Sequence, residues 1–425
     1  MRPSSHSRWL LIAVLALALG VRIGAAFWWQ ARVPVGQRFG FPDSESYWQL
    51  GQKIAASQPY EFGPSRYRIF RTPGYPLLLS VVFVCGGQDA PVMAGRFLST
   101  ILGTVTCGLT AALGWRLFGE RVGLLSALAV AIYPEAIAQS VFVLSEAPFT
   151  PLMLLQLIGW IAAWQSSSLR ASIIWAIIAG ACAGLATLMR PSWLLFLPFA
   201  GVIALTIDSQ RLKQLQIIGL MFASLCVTMS PWWIYTWSIA GRFVPTSLQV
   251  GASLYDGLSP IATGASDMRY VAEFEAQQRK TDAEKTPPAG QLFEDRLDET
   301  MKQASLKWAR ENPQRVVELA VIKFVRIWSP WPNAAEFRSN KLRLMLLVSF
   351  VPAMILMAIG TYRSRQHGWI ILLLWLPAVY FTLLHMIFVS SIRYRQPALI
   401  PLLVLAAVAA AWLISFTPSP KSQTA

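Results

Sequence analysis

What most constrains this chain is a succession of apolar runs of membrane-crossing length. Trp9–Trp29 is interrupted only by Arg22, and at about 1.5 Å per residue it can cross a hydrocarbon core of roughly 30 Å. Comparable runs follow at Met93–Leu117, Gly123–Val141, Phe149–Trp164, Ile173–Met189, Trp193–Ile207, Ile217–Ile239, Leu342–Tyr362, Trp369–Phe388 and Ala398–Phe416. The sequence therefore predicts an all-α polytopic membrane protein with about ten transmembrane helices. Its 425 residues are 55% hydrophobic and 13% charged, with 18 Trp, as such a protein requires.

Charge fixes the expected orientation. Arg2 and Arg8 precede the first run, and Arg116, Arg121, Arg211, Lys213, Arg363, Arg365, His367 and Lys421 fall in alternate connections or at the end. The rule that basic loops stay inside then places both termini in the cytoplasm. Lys plus Arg outnumber Asp plus Glu by 36 to 21. No soluble basic domain carries that excess, so nucleic acid is not an expected partner.

Two stretches are left on the outer side. The first, residues 30–91, joins the first two long runs; within it Tyr75–Cys85 is too short to span and reads as an interfacial or re-entrant helix. The second, residues 241–340, is charged and polar, with Asp267, Glu273, Arg279, Lys280, Pro287 and Pro288. Val316–Trp331 near its end is broken by Glu318, Lys323 and Arg326 and reads as an amphipathic helix at the membrane surface. The expected organisation is a module over residues 1–240 with a catalytic first outer loop, a polar extracytoplasmic segment over 241–340, and C-terminal transmembrane helices over 341–425.

Candidate chemistry gathers on the outer side. Asp43 and Glu45 open an amphipathic stretch in which Tyr47, Leu50 and Ile54 share a face. Asp43 either caps that helix or acts as a base toward a hydroxyl. Glu146, in Leu144-Ser-Glu-Ala-Pro148, is an acid at a helix junction on the same side. Arg66, Arg68, Arg71, Arg190, Arg393 and Arg395 face outward in this topology, and guanidinium forks suit phosphate; each also suits lipid head groups. Tyr47, Tyr67 and Tyr75 are candidates for sugar or acceptor contact, or members of an interfacial belt. Arg22, inside the first run, is expected to snorkel. The cysteines (Cys85, Cys107, Cys182, Cys226) show no CxxC spacing, and His6, His367 and His385 are scattered, so no metal site is legible.

Six features in register carry a family resemblance: Asp43-Ser-Glu-Ser-Tyr47, Arg71-Thr-Pro-Gly-Tyr-Pro76, Tyr133-Pro134 with Leu144-Ser-Glu146, Leu188-Met-Arg-Pro191, Ser230-Pro-Trp232 with Gly241-Arg-Phe-Val-Pro245, and Arg393-Tyr-Arg-Gln-Pro397. Together they resemble the bacterial GT-C integral membrane glycosyltransferases related to protein O-mannosyltransferases and the lipid A aminoarabinose transferase. The resemblance covers nearly the whole chain. It implies a GT-C-like fold in the inner membrane with an active site facing the periplasm. It also implies a polyprenyl-phosphate-linked sugar as donor, a glycan, lipid or protein as acceptor, and inverting transfer. By match, Asp43 would be the base and Glu146 the second acid. Where that family often has two adjacent acids, this chain has Ser44 and then Glu45. Residues 241–340 contain no histidine, so a histidine-based metal site does not carry over and a divalent metal stays open as a cofactor. A secondary transporter would instead place polar groups at the bilayer midplane. A non-catalytic envelope assembly protein would tolerate changes at Asp43 and Glu146.

Overall fold

Long uninterrupted apolar runs become long helices. The computed structural model describes residues 4–284, 290–332 and 339–415, so Arg2, Pro287, Pro288 and Lys421 lie outside the described residues. Among the described residues eight helices are long and apolar enough to cross a membrane: α1 (Ser5–Gln30), α4 (Val92–Phe118), α7 (Glu146–Gln165), α8 (Leu169–Met189), α10 (Arg211–Ala240), α15 (Asn340–Arg363), α16 (Trp369–Ile387) and α17 (Ile392–Ser415). The protein is a multi-pass, all-α membrane protein, and no strand runs through the described residues.

The two remaining expected spans are shorter than the sequence suggests. Trp193–Ile207 is a single 3-10 turn followed by the 12-residue helix α9 (Phe196–Ile207). Gly123–Val141 is divided into α5 (Glu120–Ile132) and the short α6 (Pro134–Gln139). The division is chemical: Pro134 forces Tyr133 into extended backbone and itself suits the first position of a new helix. Pro134 also has no N–H to offer the Val130 carbonyl, four residues earlier.

Arg22 supplies what Pro134 removes. Rather than snorkelling, it is fully buried. Its Nη2 donates to the Val130 carbonyl at 2.9 Å and its Nη1 to those of Ala131 at 3.3 Å and Ala18 at 3.2 Å. Its Nε donates to Ser140 Oγ at 3.1 Å. A cation at the C-terminal end of α5 also suits the helix dipole. The approach is close because α4 presents Gly103, where a Cβ would stand 2.1 Å from Ser140 Oγ and 2.9 Å from Arg22 Nε.

The chain zigzags so that one end of the bundle collects the C-termini of α1, α8, α10 and α16 and the N-termini of α4, α7 and α17. Contacts across that end include Arg96 of α4, which donates to Gln30 Oε1 at 2.8 Å and to the Val141 carbonyl at 2.9 Å. At the opposite end Glu120 accepts from Ser7 Oγ at 2.5 Å and Asp208 from Trp164 Nε1 at 2.6 Å. The neighbours α7 and α8, α8 and α10, and α15 and α17 pack along their lengths.

Over the first end lie the non-spanning helices: α2 (Pro42–Ala55) and α3 (Gly74–Gly86) of the first loop, then α11 (Val250–Gly257), α12 (Val271–Glu284), α13 (Phe293–Glu311) and α14 (Pro313–Ile327). The amphipathic helix expected near Val316–Trp331 is α14, which buries Leu319, Lys323 and Ile327 and exposes Val317, Val321 and Val325. Its Lys323 Nζ donates to the carbonyls of Gly257 at 2.8 Å and Ile387 at 2.6 Å, pinning the end of α16. α13 does the same for the first loop: Glu294 accepts from the backbone N–H of Arg68 at 2.8 Å and of Ile69 at 3.1 Å.

Overpacking a tight helix crossing costs about 1–3 kcal/mol. Gly103→Ala is therefore expected to lower the Tm in detergent by several degrees. Gly108→Ala, on the same helix with its nearest neighbour 3.9 Å away, should leave Tm unchanged. Equal Tm values for the two variants would refute this close crossing at Gly103.

Candidate active site

Asp43 lies in the first turn of α2 but does not cap it. The capping position is Phe41, with Pro42 at the first helical position and no side-chain cap bond. Freed from the backbone, the Asp43 carboxylate meets two arginines, with Oδ1 2.8 Å from Arg71 Nη2 and Oδ2 3.1 Å from Arg393 Nη2. Arg393, second residue of α17, reaches further. Its Nε donates to Glu146 Oε1 at 2.7 Å, and Arg190 Nη1, just after α8, forms an ion pair with the same oxygen at 2.8 Å. Four separate stretches of sequence thus meet in one chain of charges, Arg71–Asp43–Arg393–Glu146–Arg190.

The two acids are not equivalent. The Asp43 side chain is 40% exposed and that of Glu146 only 2%, so only Asp43 faces a ligand arriving from the aqueous side. Burial alone would raise the Asp43 carboxyl, but Arg71 and Arg393 outweigh it and hold it well below the ordinary carboxylate range. Glu146 Oε2 is buried with no hydrogen-bond partner among the described residues.

The arginines differ as well. Arg71 is fully engaged in position: Nε donates to Ser46 Oγ and Nη1 to Gln249 Oε1, both at 3.1 Å, between the rings of Tyr47 and Phe70. Arg393 donates through Nε and Nη2 and Arg190 through Nε to Ser192 Oγ at 3.2 Å, and among the described residues Arg393 Nη1 and Arg190 Nη2 make no hydrogen bond. Both guanidiniums lie over the Tyr394 ring, at 5.2 and 5.3 Å, and His385 stacks against Tyr394 at 4.2 Å. Three guanidiniums against two carboxylates leave an excess of positive charge, which suits an anion.

Other sequence candidates go elsewhere. Arg395, expected at a phosphate, is fully buried: it pairs with Glu135 Oε1 at 2.6 Å, donates to the carbonyls of Ile327 and Ser329, and covers the Phe350 ring. Arg68 pairs with Glu61 at 3.0 Å, and Arg66 stands in a left-handed turn 3.8 Å from the same residue, so neither joins the cluster. Glu45 accepts from Gln49 at 2.8 Å and from Arg38 at 3.5 Å. Tyr47 and Tyr75 are buried edge to face, with Tyr47 supporting Arg71. Tyr67 donates to Glu275 at 2.5 Å and stacks on Phe70 and Phe293. Gln249, Ser46, Tyr394 and His385 were not legible as site residues, because uncharged or isolated side chains carry no signal until the fold assembles them.

Among the described residues no group of three His, Cys, Asp or Glu is arranged to hold a metal. Asp43 and Glu146 direct their bonded oxygens at guanidiniums, so the donor set does not fit one.

Residues 71–235 match the family of dolichyl-phosphate-mannose-protein mannosyltransferases, a segment containing Arg71, Glu146 and Arg190. The oligosaccharyltransferase of Archaeoglobus fulgidus in the apo form superposes with a TM-score of 0.60 at 16% identity, over 97% of this chain and 51% of that chain. The fold is that of this oligosaccharyltransferase over the part of it that aligns. A second structure, archaeal AglB from the same organism with an inhibitory peptide and a dolichol-phosphate, gives a TM-score of 0.56 at 15% identity, again over 97% of this chain and 51% of that one. The chain therefore spans about half the length of these proteins. ArnT from Cupriavidus metallidurans bound to undecaprenyl phosphate aligns over 96% of this chain and 81% of that chain at 14% identity, with a TM-score of 0.47. No curated protein matches in sequence. In this fold, the charge chain occupies the end of the bundle covered by α2, α11 and α13.

The anchor beside the site titrates near neutrality. Burial pushes the Glu294 carboxyl up to about 7 and that of Asp298 up to about 6. A carboxyl whose native pKa exceeds its unfolded value of about 4 binds its proton more firmly when folded. Stability then falls as pH climbs through that interval and levels off above it. Tm in detergent is expected to be higher at pH 5 than at pH 7.5, with Glu294→Gln removing much of the difference. An unchanged slope in the variant would reject the assignment.

Proposed function

We propose that this chain is an inverting glycosyltransferase that moves a sugar from a polyprenyl-phosphate carrier to an acceptor hydroxyl at the outer face of the cytoplasmic membrane. The observation that carries the reading is the charge chain itself, in which a partly exposed carboxylate and two arginines with unengaged donors converge at one end of a GT-C bundle.

Arg393 and Arg190 hold the donor phosphate through the donors they do not use on protein. The acceptor oxygen attacks the anomeric carbon from the face opposite the phosphate. As the new C–O bond forms, the bond to the phosphate oxygen breaks, polyprenyl phosphate leaves with the electron pair, and Asp43 takes the hydroxyl proton. The guanidiniums neutralise the charge developing on the leaving oxygen. While both guanidiniums stabilise its charge, Asp43 is a weak base. When the phosphate draws Arg393 toward itself, one of them is shared and the basicity of Asp43 rises. Glu146 lies too deep to meet a water-borne acceptor, and its place is to orient Arg190 and Arg393. A transporter would set its charges across the bilayer midplane, whereas these stand at helix termini.

The decisive assay uses protein in nanodiscs with a panel of synthetic polyprenyl-phosphate sugars and follows release of polyprenyl phosphate by mass spectrometry. Asp43→Asn is expected to lose at least about 100-fold in kcat, the usual contribution of a general base. Near-normal transfer by a correctly inserted variant would overturn the mechanism.

Arg190→Gln and Arg393→Gln are expected to weaken donor binding, read as a rise in KM for the donor of roughly tenfold or more. Because guanidiniums supply the positive charge, transfer is expected to survive chelation by EDTA. Loss of transfer in EDTA, with recovery on adding a divalent cation, would contradict this assignment of the charge.

A further inference from the structure

Arg71 reaches Asp43 from one side, and something must hold it there. Of its three engaged nitrogens, Nη2 meets Asp43 and Nε meets Ser46 of the same helix. The third, Nη1, meets Gln249 Oε1 at 3.1 Å, in the segment leading into α11. This is a contact across 178 residues.

Both ends of that contact hang from α13. On the Arg71 side, Glu294 receives the N–H groups of Arg68 and Ile69, and the Ile69 carbonyl in turn accepts from the Leu248 N–H at 2.9 Å. On the Gln249 side, Asp298 Oδ1 receives the Gly251 N–H at 2.7 Å. The packing there is so close that a Cβ on Gly251 would stand 1.9 Å from the Asp298 carbonyl oxygen. Glu294 and Asp298 are one helical turn apart on the same buried face of α13. The distance between Gln249 and Arg71 is thereby set by a single rigid element outside the transmembrane bundle.

We infer that Gln249 is a positioning residue for the transfer reaction, holding Arg71 so that the Asp43 carboxylate stays aimed at the acceptor, and that α13 serves as the frame of that contact. The inference rests on the reading of Asp43 as the base. It gives the segment at residues 248–251 and the buried face of α13 a purpose distinct from binding: they fix the geometry of the acid in the first outer loop. Donor phosphate is held on the other flank of Asp43, by Arg393 and Arg190, so donor affinity does not depend on Gln249.

The groups that face Asp43 are Arg71 from the first outer loop and Arg393 from α17. Beyond them stand Glu146 from α7, Arg190 after α8 and Tyr394 on α17, with Tyr47 and Glu45 on its own helix. A change at Gln249 reaches the carboxylate through Arg71.

The test compares wild type, Gln249→Met and Gln249→Glu in nanodiscs. Methionine keeps the volume and loses the acceptor; glutamate keeps the acceptor and adds a competing charge. With the polyprenyl-phosphate sugar that wild type turns over best, Gln249→Met is expected to lose about tenfold or more in kcat while donor KM stays within twofold. The second measurement needs no turnover: an infrared titration of the Asp43 carboxylate, taken as the difference against Asp43→Asn. Its midpoint is expected to move upward by at least about half a pH unit in Gln249→Glu, because Arg71 is drawn away and a negative charge is added.

An unmoved titration in Gln249→Glu, or a Gln249→Met variant with wild-type kcat, overturns the inference. A change confined to donor KM overturns it too, since Gln249 would then belong to the donor site. Wild type that turns over no donor refutes the glycosyltransferase reading, and the titration still decides the role of Gln249.

Discussion

Arg393 is the side chain on which the arrangement depends. Standing one residue inside α17, it gives Nε to Glu146 and Nη2 to Asp43, and so ties the last helix to the first loop and to the start of α7. Two carboxylates this close to one another would repel without it. Removing one partner from a buried ion pair leaves a charge without compensation, which is why such contacts are costly to alter singly. The bundle places the N-termini of α7 and α17 and the C-terminus of α8 at one end. The arginine converts that coincidence of helix ends into a single electrostatic unit.

The same logic recurs around it in a structural rather than chemical role. Arg395, two residues on, joins Glu135 to the carbonyls of Ile327 and Ser329. Lys323 grips the end of α16. Alternate basic residues of one helical turn therefore divide the work, with Arg393 turned to the open site and Arg395 turned inward to fasten α17 to α6 and α14. A motif with two arginines gives no means of telling them apart in sequence, since both carry the same fork and lie within the same turn.

Legibility followed the same division. Apolar runs located eight long helices and their order, because the length needed to cross lipid is a property of local sequence. The subdivision at Tyr133–Pro134 was locally visible in the proline, but its consequence depended on a partner, Arg22, on another helix. Of the charges that meet in the candidate site, Asp43, Glu146, Arg71, Arg190 and Arg393 are all legible in the sequence, since charges in an apolar chain stand out. Whether Arg66, Arg68 and Arg395 joined them was decided by Glu61 and Glu135, acids with nothing locally unusual about them. Gln249 was invisible, because an uncharged amide gains meaning only from what α13 brings to it.

Arg22 bears on how the protein is made. On translation α1 emerges with a charge near bilayer depth whose acceptors on α5 lie 108 residues further along the chain. An unmatched arginine at that depth costs about 2.5–3.5 kcal/mol on insertion scales. Until α5 and the turn into α6 have been synthesised, the first helix must therefore sit shallow, tilted or sheltered by insertion machinery. A helix that enters the membrane before α5 thus reaches its final depth only after it, and the arrival of Val130, Ala131 and Ser140 is what allows it to settle.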